Sequence, residues 1–177
     1  MISLPGTPSI RPIGDADWPA IDRIQRACFP PTAIESQEVL QSISRHSPET
    51  CLLAEADAPL AYVLAHPWIP DELPPIQAHL PGIPAGASSL FFHDLAVTPA
   101  ARGTGLAQRL VEELLAWAEG RGLRHGSLIA VQDSRRFWER HGFRERPDLT
   151  ARFRDTVAQF YQVDFVFMTA DWDFLTD

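Results

Sequence analysis

The sequence predicts one α/β domain of mixed α+β type over residues 1–177, strands interspersed with helices. Three observations predict it. Short apolar runs of strand length alternate with longer stretches of helical period. The apolar run Leu90–Val97 passes through a tight glycine turn straight into a long amphipathic helix. A chain of 177 residues, 45% of them hydrophobic, can bury one substantial core and needs no second domain.

Taken in order, Ser9–Ile13 reads as a short strand. Asp15 or Asp17 then caps a helix that carries Trp18, Ile21, Ile24 and Cys28 on one side and stops at Pro30-Pro31. Ser36 caps a second helix with Val39, Leu40 and Ile43 inward, ended by Ser47-Pro48. Thr50–Glu55 and Leu60–Ala65 form a hairpin across Asp57-Ala58-Pro59. Residues 67 to 88 contain six prolines and two glycines, a loop long enough to border an acceptor pocket rather than merely connect.

In the helix after the turn, Leu106, Leu110, Leu114 and Ala118 form one apolar row and Ala107, Val111 and Leu115 the next, ending at Gly120 or Gly122. Gly126–Val131 is a buried strand. Asp133 or Ser134 caps a helix over Arg135–His141 with Gly142 at its C-cap, and Phe143 opens another strand. Residues 146 to 162 show no clean period and receive no element. Gln162–Thr169 is the last strand, and Trp172 and Phe174 pack the tail onto the body.

Charge and composition narrow the function. A net charge of −8, with 15 basic against 23 acidic residues, disfavours nucleic acid and suits a cationic, amine-bearing partner. No apolar run approaches the ~20 residues of a membrane span, and the start of the chain lacks a basic region followed by an apolar core, so a cytoplasmic protein with no membrane partner is expected. Cys28 and Cys51 have no metal spacing and read as buried thiols in a reducing compartment; no metal is expected.

The turn itself is built for an anion. Gly103 and Gly105 lack Cβ atoms, so a ligand can approach the backbone, and the first N–H groups of the following helix point outward with the positive end of its dipole. Arg102 adds a full charge. No Lys-Ser/Thr follows the second glycine as a P-loop requires, and Gln108 stands where a dinucleotide fingerprint has its third glycine.

Arg102-x-x-Gly105-x-Ala107, preceded by Leu95-Ala96-Val97-x-Pro99 and followed by Phe137-Trp138-Glu139-Arg140-x-Gly142-Phe143, resembles the GNAT superfamily of acyl-CoA N-acyltransferases over nearly the whole chain. The resemblance implies a central mixed, splayed sheet of about seven strands with flanking helices, opened by a bulge in the fourth strand, with acetyl-CoA as the cosubstrate. It implies that backbone N–H groups across Arg102, Gly103, Thr104, Gly105, Leu106 and Ala107 take the coenzyme A pyrophosphate. It further implies that Leu95, Ala96 and Val97 border the pantetheine arm, with the Leu95 N–H facing the thioester carbonyl, and that Ser134 and Trp138 lie beside the coenzyme. Arg135 or Arg136 could meet its phosphates.

Acetyl transfer to an amine needs a held cofactor, a neutral amine and a stabilised oxyanion. An alkylamine of pKa about 10 is protonated at neutral pH, so a base must act. His93, two residues before Leu95, is the first candidate, and Asp94 the second, since a bulge can turn it toward the same face. The family's proton donor to the departing thiolate is a tyrosine, and here Trp138 occupies that position. An indole N–H is too weak an acid to replace it. Tyr62 and Tyr161 cannot be placed from sequence, while Asp71 and Glu72 could attract a cationic acceptor or simply be solvated.

The expected activity is acetyl transfer from acetyl-CoA to a primary amine of a small molecule, with a homodimer left open. A protein N-terminal or lysine acetyltransferase and a non-catalytic acyl-CoA-binding module are the alternatives.

Overall fold

A computed structural model describes residues 6–131 and 133–173. Seven strands form one sheet in the order β1 (Ser9–Pro12), β2 (Cys51–Glu55), β3 (Pro59–Trp68), β4 (Ser89–Val97), β5 (His125–Val131), β7 (Phe165–Asp171), β6 (Arg144–Glu145). Every neighbouring pair is antiparallel except β4 and β5, which are parallel and joined through α3 (Leu106–Gly120), the crossover that parallel strands require.

The sheet separates two layers. On one face α3 buries Leu106, Leu110, Val111, Leu114 and Ala118 against Leu52, Ala54, Val63, Leu90 and Phe92, which is the predicted apolar stripe meeting one side of the pleat. On the other, α1 (Trp18–Cys28) and α2 (Gln37–His46) place Trp18, Ile21, Ile24, Leu40 and Ile43 on Leu53, Tyr62 and Leu64. Ser36 caps α2 through its hydroxyl, which accepts the Val39 N–H.

Local details depart from the sequence reading. Asp17 sits at the N-cap of α1 without capping it, because its carboxylate accepts the Gly14 N–H at 2.7 Å and is gripped by Arg11 at 2.7 and 2.9 Å. Ser134 likewise begins α4 (Arg135–Glu139) without a side-chain cap bond. The span left unassigned contains α5 (Pro147–Ala158), opened by Pro147 at its first position. Only Leu149, Thr150 and Val157 of α5 are buried, so its apolar stripe is too sparse to show a period; it packs with Phe91 and Phe167 in a small third cluster. Trp172 covers Gly126, where any Cβ would collide with the indole. Phe174 lies outside the described residues.

Candidate active site

The parallel ladder between β4 and β5 runs only from Ser89/His125 to Phe92/Leu128, although β4 continues to Val97 and β5 to Val131. Beyond Phe92 the two strands part, as the resemblance implied. The cause is visible on the other side of β4: Leu64 faces Asp94 while Ala65 faces Phe92, which leaves His93 as an extra residue. This bulge defeats strict alternation, and both His93 and Asp94 line the same cavity of about 460 Å³.

Nine of the thirteen expected catalytic and coenzyme residues line that cavity: His93, Asp94, Leu95, Ala96, Val97, Arg102, Ala107, Ser134 and Trp138. Gly103, Thr104, Gly105 and Leu106 are not among its lining residues: the first three form the turn between Arg102 and Ala107, where the Thr104 hydroxyl donates to the Ala101 carbonyl at 2.5 Å, and the Leu106 side chain is buried in the core. Gly103 and Gly105 have φ of 77° and 83°, left-handed conformations that favour glycine. No atom lies within 4 Å of the place a Cβ would occupy at either. The first backbone bond into α3 is from the Arg109 N–H to the Gly105 carbonyl, which leaves the N–H groups of Gly103 to Ala107 for a ligand; that of Arg102, expected among them, instead donates to the Pro99 carbonyl at 3.4 Å, closing the short 3-10 turn before it. An exposed cradle of backbone donors with Arg102 beside it fits a pyrophosphate.

The other end is made of buried side chains. His93 Nε2 lies 2.5 Å from a carboxylate oxygen of Glu35, a residue between α1 and α2 that the sequence reading did not single out. Glu35 is clamped. Its N–H donates to Gln25 Oε1 at 2.8 Å, Gln25 Nε2 donates to its carbonyl at 3.1 Å, and the Gln77 N–H donates to its Oε1 at 2.9 Å. Gln77 belongs to the proline-rich loop and also donates from Nε2 to the Thr32 carbonyl, so this loop is tied down where Pro74, Pro75 and Ile76 enter the cavity wall. Asp94 accepts the Tyr62 hydroxyl at 2.6 Å.

These contacts tune the charges. Burial opposes ionisation of Glu35, but the charge and hydrogen bond of His93 and the Gln77 N–H outweigh it and hold the carboxyl below its usual range. Burial alone would lower His93; the charge and hydrogen bond of Glu35, with the charge of Asp94, raise it above the ordinary imidazole value. Burial pushes Asp94 up to about 7 despite the Tyr62 hydrogen bond and His93. Because Glu35 holds no proton, Nε2 is the donor in the pair, and the neutral ring presents its Nδ1 lone pair, which has no partner among the described residues.

Other candidates settle elsewhere. Trp138 packs edge-on against Phe92, Phe137 and Phe143. Tyr161 lines the cavity, and burial raises its pKa. Asp71 and Glu72 pair with Arg146 and Arg152 of the α5 region, and Arg135 with Glu139 and Glu145, all away from the cavity. Cys51 is buried in the core; Cys28, expected buried as well, is half-buried on the cavity wall, where its thiol donates to the Val97 carbonyl. Among the described residues no helix is long and apolar enough to cross a membrane, and no cluster of His, Cys, Asp and Glu could hold a metal ion.

Comparison with known proteins agrees with this geometry. The Acetyltransferase (GNAT) family model matches residues 18–143. The chain belongs to this family. No curated protein matches the sequence. Among solved structures, the chain resembles the loading GNATL domain of CurA from Lyngbya majuscula, with a TM-score of 0.73 and 13% identity over 94% of this chain and 98% of that one. It also resembles Arabidopsis thaliana Naa50 in complex with a bisubstrate analogue, with a TM-score of 0.68 and 13% identity over 93% and 99%. A GNAT family acetyltransferase from Brucella melitensis in complex with acetyl-CoA gives a TM-score of 0.58 and 20% identity over 94% and 89%. At these identities the likeness shows the fold. Family membership and the glycine cradle together support acetyl-CoA as the cosubstrate.

Proposed function

We propose that this GNAT acetyltransferase moves an acetyl group from acetyl-CoA directly to a primary amine of a small molecule, with His93 as the base. The observation that carries this reading is the junction of two kinds of site in one cavity, a backbone anion cradle at one end and the Glu35–His93 pair with Asp94 at the other.

Bound acetyl-CoA would supply a thioester carbonyl carbon, to which the nitrogen of the neutral amine bonds as the carbon–sulfur bond breaks; the sulfur departs as thiolate and takes up the surplus proton of the acetylated nitrogen. Gly103 to Ala107 offer backbone N–H groups to the pyrophosphate, and the edge of β4 at Leu95, Ala96 and Val97, unpaired on its β5 side, offers amide partners to the extended arm. His93 takes a proton from the entering ammonium at Nδ1 and becomes an imidazolium paired with Glu35, so the carboxylate both orients the ring and strengthens it as a base. Asp94, held at about 7, is the second candidate for that proton. Trp138 shapes the channel, and the thiolate, of pKa near ~8.5, leaves without a tyrosine donor.

The proline-rich wall favours a small molecule over a peptide. A peptide acceptor adds backbone hydrogen bonds along an edge, and Pro74-Pro75 offers no N–H there. The test is thiol release from acetyl-CoA with the wild type, His93→Ala and Asp94→Asn across pH. His93→Ala should lower kcat/KM about 10²- to 10⁴-fold near neutral pH. The deficit should shrink as pH nears the acceptor's own pKa of ~10, where solution supplies free amine. A folded His93→Ala enzyme with unaltered turnover and pH profile refutes the assignment and passes the role to Asp94.

A further inference from the structure

We propose that the acceptor is a primary monoamine with an apolar body, carrying neither a carboxylate nor a second cationic group. The proposal rests on the acetyltransferase reading above and names the class of amine that the acceptor end selects.

The wall around Glu35, His93 and Asp94 comes from Phe29, Pro74, Pro75, Ile76, Phe91 and Tyr161. Apart from one phenol and the Cys28 thiol, which is engaged by the Val97 carbonyl, it offers hydrocarbon. The charged groups that meet there are two carboxyls and one imidazole; the His93 and Glu35 side chains are 6% and 4% exposed and Asp94 is half-buried. The other basic side chain on the cavity, Arg102, stands in the exposed turn past the far end of β4, beside the pyrophosphate cradle.

Three acceptor classes are disfavoured by this inventory. An amino acid would bring its carboxylate beside Glu35 and Asp94 with no cation to meet it, and an uncompensated buried charge costs several kcal/mol. A diamine would need an anion for its distal ammonium beyond Glu35, which is paired with His93, and Asp94, which faces the reacting end; the acidic residues of the proline-rich loop, Asp71 and Glu72, are engaged by Arg146 and Arg152 outside the cavity. An amino sugar would bury hydroxyls against Phe, Ile and Pro, at about 1–3 kcal/mol for each group left unbonded. A single ammonium on a hydrocarbon body meets every requirement: its charge faces the carboxyls and the His93 base, and its body removes apolar wall from water.

The experiment uses the wild-type chain with acetyl-CoA and compares 2-phenylethylamine, phenylalanine, 1,4-diaminobutane and glucosamine by kcat/KM for thiol release. It is repeated with octanoyl-CoA, and acetyl-CoA binding is measured separately by calorimetry. We expect 2-phenylethylamine to exceed each of the other three by at least about a hundredfold, the range that one unmatched buried charge or hydrogen-bonding group supports. Phenylalanine, the diamine or the amino sugar within tenfold of it would overturn the substrate class and leave the transferase reading standing. A hundredfold preference for octanoyl-CoA would assign the apolar wall to the acyl chain and also overturn it. Tight acetyl-CoA binding with no amine-dependent thiol release would overturn both readings together.

Discussion

At one end of the cavity Gly103, Gly105 and the first turn of α3 present backbone N–H groups at an exposed surface; at the other, Glu35, His93, Asp94 and Tyr62 are buried side chains whose partners stand 58 and 32 residues apart. The first end is set by local conformation. Two left-handed residues followed by a helix make a cradle whatever the rest of the sheet does. The second end exists only through tertiary structure, because a one-residue bulge aims His93 and Asp94 together and a loop from another part of the chain brings the carboxylate. The coenzyme end should therefore fail by loss of binding, and the acceptor end by a change in titration.

The largest effect is expected at the turn. Gly105→Glu puts a side chain into space that no protein atom fills, so the fold has room for it. The left-handed backbone at φ 83° adds a strain of about 1–2 kcal/mol. The carboxylate then stands where the pyrophosphate should bind, and coenzyme A affinity should fall by at least about a hundredfold, equivalent to about 2.7 kcal/mol. Calorimetry on a variant with unchanged circular dichroism checks this. Undiminished affinity would remove the turn from the coenzyme site.

Glu35→Gln is the sharper test of the other end. Gln keeps the shape and can still accept the Gln77 N–H, but it removes the charge that holds His93 above its ordinary value. Burial, the largest influence on the ring, then works against the Asp94 charge alone, so the His93 pKa should fall. A base that works when neutral gives a rate that rises with pH through its pKa, so the acidic limb of kcat/KM should move to lower pH while the plateau falls roughly tenfold. An unmoved limb with a lower plateau would reduce Glu35 to packing. If the limb stays near 7 in Glu35→Gln and disappears in Asp94→Asn, Asp94 is the base.

The same contrast explains what could be read from the sequence. Strands, the α3 stripe, the turn and the divergence of β4 from β5 were legible because each follows from a short run of residues or from the motif resemblance built on them. Helix α5 was not, since only three of its residues are buried and, apart from the half-buried Phe153 against Phe167, the rest lie toward solvent. Glu35 was invisible for another reason: a lone glutamate between Ile34 and Ser36 carries no local signal, and only the position of Gln25, Gln77 and His93 around it shows that its charge is held. The sequence did expose one weak signal there, the helix boundary at Pro30-Pro31 that leaves residues 32–36 to a loop.

The smallest effect belongs to Trp138, which stands between the two ends. Its ring fills the space among Phe92, Phe137 and Phe143, and it occupies the position where the family resemblance implies a tyrosine acid. If the indole only shapes the channel, Trp138→Phe removes the N–H, keeps an aromatic ring and leaves a small gap, with a stability loss of about 1–2 kcal/mol. Turnover should change less than about threefold, and the basic limb of the pH profile should stay in place, because an N–H that never transfers a proton cannot set a pKa in the rate. Trp138→Tyr sharpens the comparison. A phenol returns an ionisable donor to the same ring position, so a new fall in rate at high pH in Trp138→Tyr, absent from wild type and Trp138→Phe, would show that this position reaches the leaving sulfur. Loss of a wild-type basic limb in Trp138→Phe, with coenzyme affinity retained, would instead mean that the indole N–H takes part in the step that the limb reports.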